Sequence, residues 1–63
     1  MNWTFDGAAW TAMSGYAGEF RVYASTQLPG WFAEQVQTGQ RVRLPTIDEA
    51  KRHCEQQDRR MRM

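Results

Sequence analysis

One cysteine and one histidine, Cys54 and His53, are all that this 63-residue chain offers for cross-linking or for soft metal ligation. An internal disulfide needs a second cysteine, and a structural zinc site takes four Cys or His ligands at set spacings. The two usual staples of a very small domain are therefore excluded, and packing must supply the stability. A chain of this length buries only roughly 60% of the surface that its unfolded form exposes. The material for a core is aromatic: Trp3, Phe5, Trp10, Tyr16, Phe20, Tyr23, Trp31 and Phe32 make up 13% of the residues. Each such ring removes about 150–250 Å² from water when buried, so a few of them can dominate a small core.

Residues 1–44 read as strands. Short aromatic and β-branched runs are separated by glycine-bearing turns, with Asp6-Gly7 as a hairpin signal and Pro29-Gly30 and Thr38-Gly39 as breakers. The spacing predicts strands over about 2–6, 9–13, 19–25, 31–37 and 40–44, joined by short connections that favour an antiparallel meander. Alternation assigns the faces. Phe20, Val22 and Ala24 oppose Arg21, Tyr23 and Ser25; Val42 and Leu44 oppose Arg41 and Arg43; Trp10 and Ala12 oppose Thr11 and Met13. In the fourth strand Trp31 and Ala33 share a face but Val36 is out of phase, which a bulge near Glu34-Gln35 would restore. Alternation leaves open whether Trp31 or Phe32 faces the core.

Thr46 and Glu49 form a T-x-x-E capping box directly after Pro45 and open a helix over about 46–60. Ile47, Ala50, Cys54 and Met61 fall on one arc at the helical period, a stripe suited to lie across the inner face of the sheet. The expected fold class is α+β, one domain over 1–63: a four- to five-stranded antiparallel meander covered by one C-terminal helix. Residues 59–63 are expected to fray as a basic tail. The expected core gathers Trp10, Phe20, Val22, Trp31, Leu44, Ile47, Ala50 and Cys54.

Net charge is +1 and unevenly spread. Residues 1–40 carry one arginine against three carboxylates, and residues 41–63 carry seven Lys or Arg against four. That excess is small for a nucleic-acid-binding domain. Within the helix, Asp48–Arg52, Glu49–His53, Glu55–Arg59 and Asp58–Arg62 run acid-first at i,i+4, the order that suits the helix and its dipole. This spacing reads as a self-neutralised solvent face.

Catalytic chemistry finds little footing. His53 and Cys54 are neighbours on a helix and do not face each other, so they make no dyad. Asp48-Glu49 is accounted for by the helix N-terminus, and Leu44-Pro45-Thr46 offers no glycine-rich phosphate cradle. The expectation is a non-enzyme with no catalytic, metal or cofactor residues. No apolar run approaches the roughly 18 residues of a membrane span, and no charged segment followed by an apolar run marks a secretory leader. With a single cysteine, a reducing cytoplasm is the expected setting.

The order of motifs carries a resemblance. Trp3, Trp10, Gly18, Phe20, Val22, Tyr23, Gly30 and Trp31, followed by Thr46, Glu49, Ala50 and Lys51 in "TIDEAK", resemble small β-rich phage and prophage proteins that end in a T-[LI]-[DE]-E-A-K-like helix. The stretch "WFAEQVQTGQRVRLPTIDEAK" is more loosely similar to the βββα DNA-binding modules of phage integrases and AP2 domains, and its β–β–α order also occurs in antitoxins of the HicB type. Arg43-Leu44-Pro45 stands where the integrase-type modules carry Gly-x-Phe before the threonine. The first resemblance implies a phage or prophage protein with no assigned activity; the second implies a sheet that enters the major groove.

Two functions therefore compete. One is a protein-interaction module, a host-directed accessory factor in the resemblance's setting, using exposed aromatics or an open sheet edge. The other is a nucleic-acid-binding module. In both, the candidate surface is Arg21, Tyr23, Phe32, Arg41 and Arg43, since arginines interleaved with rings serve stacking and charge recognition alike. Arg60 and Arg62 are secondary candidates. The protein partner is preferred, nucleic acid is the alternative, no membrane contact is expected, and the open edges of a meander suggest weak homodimerisation.

Overall fold

A computed structural model of the protein describes residues 1–61. Five strands, β1 (Thr4–Phe5), β2 (Trp10–Ser14), β3 (Gly18–Ala24), β4 (Trp31–Gln35) and β5 (Gln40–Leu44), precede one helix, α1 (Ile47–Met61). The strands pair in sequence order as one open antiparallel sheet. The α+β meander with a terminal helix is thus the architecture of the protein. The helix crosses one face, mainly over β4 and β3 with a smaller approach to β5. Among the described residues no element covers the other face.

Local chemistry sets the turns. The Asp6 carboxylate accepts the N–H groups of Ala8 and Ala9 at 2.9 and 2.8 Å, and these bonds hold its pKa below the usual carboxylate value. Ser14 Oγ accepts the N–H groups of Tyr16 and Ala17, both at 3.1 Å, and so shapes the β2–β3 turn. At the end of the β3–β4 connection Gly30 has φ +124°, and a Cβ there would meet the Leu44 carbonyl oxygen at 2.8 Å. Only glycine combines that backbone with so close an approach to β5. The helix opens at the expected cap, with Thr46 Oγ1 accepting the Glu49 N–H at 3.1 Å.

The core lies between helix and sheet. Phe20, Val22, Ala33, Ala50 and Cys54 are buried together with Ala17, while Trp3, Trp10, Trp31, Leu44 and Ile47 pack half-buried around them. Register explains the choice: Ala12, Phe20 and Gln35 form one cross-strand row on the helix side, and Trp10, Val22, Ala33 and Val42 form the next. Trp31 faces the helix side and Phe32 the opposite one, since Trp31 pairs with Ala24 and Phe32 with Tyr23. Small Ala12, Ala17, Ala33 and Ala50 let the helix approach closely; the Phe20 ring fills the centre, and Trp3, Trp10 and Trp31 form the wall.

One expectation, in the fourth strand, needs correction. The register of β3 with β4 is continuous from Ala24↔Trp31 to Phe20↔Gln35, so no bulge interrupts Glu34-Gln35. Instead the strand stops at Gln35, and Val36 is exposed in the turn. Gln35 takes the inward place, buried, with its amide donating to the Ala17 carbonyl at 3.2 Å. Met61 lies at the end of the apolar stripe, 45% exposed, with its Sδ accepting the amide of buried Gln35 at 3.4 Å. Asp58 is the buried residue of that last part of the helix, and its carboxylate accepts the Ser14 hydroxyl. The expected tail begins at residue 59; α1 runs through Met61 and so includes Arg59 and Arg60, and residues 62 and 63 lie outside the described residues.

The first strand is short, and its entry is secured from the helix. Lys51 Nζ sits 3.7 Å from the centroid of the Trp10 ring and 5.9 Å from that of Trp3. The Trp3 indole N–H donates to Glu55 Oε2 at 3.3 Å. A cation between two indoles is stabilised by the negative ring faces, so Lys51 and Glu55, one turn apart, clamp the N-terminal segment to the helix.

Candidate binding face on the open sheet

Side chains alternate along each strand, so register decides which of them share the uncovered face. Arg21 lies opposite Glu34, and Glu34 opposite Arg41. One row further, Tyr23 lies opposite Phe32, and Phe32 opposite Arg43. The structure therefore brings Arg21, Tyr23, Phe32, Arg41 and Arg43 onto one face across three adjacent strands. Arg60 is exposed on the last turn of α1, which covers the other face of the sheet. It does not join this group. Arg62 lies outside the described residues.

Contacts fix the group further. The rings of Tyr23 and Phe32 are 5.6 Å apart at 45°, a tilted pair. The Arg41 guanidinium carbon is 4.9 Å from the Phe32 centroid. Arg43 Nη1 donates to the Pro29 carbonyl at 2.7 Å, which anchors that side chain toward the β3–β4 connection. Arg21 Nε donates to Glu19 Oε2 at 2.9 Å, and the hydrogen bond and charge of Glu19 raise the guanidinium pKa above its ordinary value. Arg21–Glu19 is the ion pair at contact distance among the described residues. Asp48–Arg52, Glu49–His53 and Glu55–Arg59 keep their helical spacing without closing to contact.

Two features of this face escaped sequence reasoning. Glu34 stands between Arg21 and Arg41, and Glu19 beside Arg21, so the arginines are interleaved with carboxylates. Met13 lies opposite Glu19 on the same face and is 72% exposed. Alternation places Met13 on this face, but only register sets it beside Glu19 and sets Glu34 between the arginines. What results is a mixed surface: a tilted aromatic pair, three arginines, two carboxylates and a methionine.

The side of the sheet beneath the helix holds a cavity of about 30 Å³ lined by Phe20, Ala33, Val42, His53, Cys54 and Gln57 among others. Burial, with a smaller effect from the Glu55 charge, pushes the Cys54 thiol up to about 12. A raised thiol pKa means that folding favours the neutral form. Its contribution to stability is whole below the ordinary value of 9.0 and is lost as pH rises from there toward about 12. Melting temperature should therefore stay level up to about pH 9 and fall above it, with a shallower fall in Cys54→Ala. Equal slopes for the two proteins in thermal melts would contradict the burial of this thiol. Among the described residues no helix is long and apolar enough to cross a membrane. The chain matches no protein-family model, no curated protein sequence and no solved structure.

Proposed function

We propose that the protein is a non-enzymatic binding module of the small phage and prophage type, acting in the cytoplasm, and that its uncovered sheet face docks on a protein partner. The observation that carries this reading is the tilted Tyr23–Phe32 pair set among Arg21, Arg41 and Arg43 with Glu34 between two of the arginines. Aromatic residues, arginine and methionine are the types enriched in protein–protein interfaces and in their energetic hot spots. Glu34 and Glu19 speak against a phosphate backbone as the main ligand. A duplex surface is uniformly negative; Glu34 would face it directly, and Glu19 already engages the Arg21 guanidinium. A host-directed accessory factor is the role that fits a phage-type chain with this surface.

Two measurements test the reading together. Immobilised protein is exposed to host-cell lysate, the retained protein is identified, and its affinity is then measured against the parent chain and against Arg41→Glu and Phe32→Ala. Retention of folded structure is checked by circular dichroism. A hot spot costs about 2 kcal/mol or more on truncation, so affinity should fall roughly 30-fold or further. In parallel, labelled duplex and single-stranded DNA and RNA are titrated at low salt. Binding with a salt slope that drops by about 0.9 per arginine removed would replace the protein partner with nucleic acid.

A further inference from the structure

The hydrogen-bond phase of the sheet shows what its β5 edge presents. Val36 N–H bonds the Glu19 carbonyl at 3.0 Å, and Ser25 N–H bonds the Gly30 carbonyl at 3.1 Å. In an antiparallel ladder, bonding to one neighbour alternates residue by residue. Positions 30, 32, 34 and 36 therefore bond toward β3, and Trp31, Ala33 and Gln35 bond toward β5. Their partners are Leu44, Val42 and Gln40. It follows that Arg41 and Arg43 direct their backbone N–H and C=O groups away from the sheet, at its open edge. β5 is a full five residues long, whereas the opposite edge, β1, has two.

The side chains around this edge define what can lie beside it. On the uncovered face stand the two guanidinium groups of Arg41 and Arg43. On the helix side stands Val42, 43% exposed although it is an inward position. The cavity of about 30 Å³ lies under it, with His53 and Gln57 on the helix opposite. That volume exceeds the roughly 10–15 Å³ needed for a water molecule; Phe20, Ala33, Val42 and Cys54 give it apolar walls, with Gln35, Gln40, His53 and Gln57 at its polar parts. An added strand would thus meet a basic row on one face and a partly apolar recess on the other.

We propose that the β5 edge is a second recognition site, which takes an extended segment of a partner protein as a sixth antiparallel strand, with the side-chain pattern acid–small apolar–acid. The backbone of Arg41 and Arg43 supplies the ladder bonds. The two acidic side chains lie directly opposite their guanidinium groups, and the apolar side chain between them turns to the helix side against Val42 and the recess. Strand addition at an edge draws affinity from the main chain and specificity from alternate side-chain sites, and opposite charges facing each other across strands are stabilising.

A second copy of this chain is the wrong occupant. In-phase antiparallel self-pairing centred on residue 41, 42 or 43 sets arginine directly opposite arginine at least once, and like charges there are destabilising. The same arginines guard the edge against self-association. This inference stands apart from the function proposed for the sheet face: it concerns the edge, and either can hold without the other.

The test is a titration of uniformly 15N-labelled protein with two capped peptides, Thr-Glu-Val-Glu-Thr and Thr-Lys-Val-Lys-Thr, followed by amide shifts and hydrogen exchange. The glutamate peptide should move the Arg41 and Arg43 amides, slow their exchange at least about tenfold, and bind about tenfold tighter than the lysine peptide. Arg41→Glu/Arg43→Glu, both exposed substitutions, should reverse that preference, and N-methylation of the peptide backbone should abolish binding. Phe32→Ala should still bind the glutamate peptide, which separates the edge from the sheet-face reading. Equal response to both peptides overturns the proposal, as do shifts confined to Tyr23 and Phe32. Protection of Arg41 and Arg43 that grows with protein concentration in the absence of peptide overturns it too, in favour of self-pairing.

Discussion

Replacing Phe20 by alanine is expected to abolish the folded state. Phe20 is 1% exposed and is among the largest fully buried side chains of the protein. It sits in the central strand, with Ala12 on one flank and Gln35 on the other, so no bulky neighbour can collapse into the space it leaves. Truncating a buried phenylalanine costs about 3–5 kcal/mol. A single core in a domain of this size rarely supplies more than about 3–5 kcal/mol in total. Far-UV circular dichroism and thermal melting would show a sheet signal lost or a transition without cooperativity. A cooperative melt within a few degrees of the parent would show that the core does not rest on this ring. Ile47→Ala, by contrast, truncates a half-buried side chain at the start of the helix, and its loss should be smaller.

The second large effect is expected at Ser14 and Asp58, which lie 44 positions apart in sequence. Ser14→Ala removes the hydroxyl that donates to a carboxylate only 6% exposed. It also removes the oxygen that accepts the Tyr16 and Ala17 N–H groups. Hydrogen bonds to charged groups contribute about 1.5–3 kcal/mol, and the desolvation of a buried partner adds to the loss. The denaturation midpoint of Ser14→Ala should fall accordingly. Because the two residues form one network, the double variant with Asp58→Ala should lose less than the two single losses combined, by about 0.5–3 kcal/mol. Strictly additive losses in denaturant titrations would mean that turn and helix are not energetically joined.

How far the sequence foretold this structure depends on the range of the interaction. The helix start was legible because the capping box is a local device: Thr46 and Glu49 bond within one turn. β5 was legible from strict alternation between two turn signals, and its predicted span of 40–44 is that of the strand. β4 was overrun to 37 because Val36 looked like a core residue; the turn claimed it, and a glutamine went inward instead. Arg21, Tyr23, Arg41 and Arg43 were legible on the sheet face from period-two alternation, but Phe32 was settled only by its pairing with Tyr23, and the carboxylate neighbours were not legible, because Glu34 meets Arg41 only through a hairpin register. Asp58 was read from its i,i+4 spacing as a surface partner of Arg62. Its packing against Ser14 belongs to the tertiary fold, and no local rule contains it. The motif residues Trp3, Trp10 and Lys51, scattered along the chain, meet in one cation–ring clamp.

The order of elements has a consequence for how the protein is made. All five strands precede the helix in the chain, and a ribosome delivers them in that order. Each strand can zip onto its predecessor as it emerges, since every pairing joins consecutive segments. Short-range pairing of that kind closes quickly. The residues that shield the inner face, Ala50 and Cys54, arrive last. Until they do, Phe20, Val22 and Trp31 present an apolar sheet to the surrounding solution, the kind of surface on which nascent chains aggregate. The interval between synthesis of Leu44 and docking of α1 is therefore the vulnerable moment in the life of this protein, and a pause in translation within the helix would prolong it.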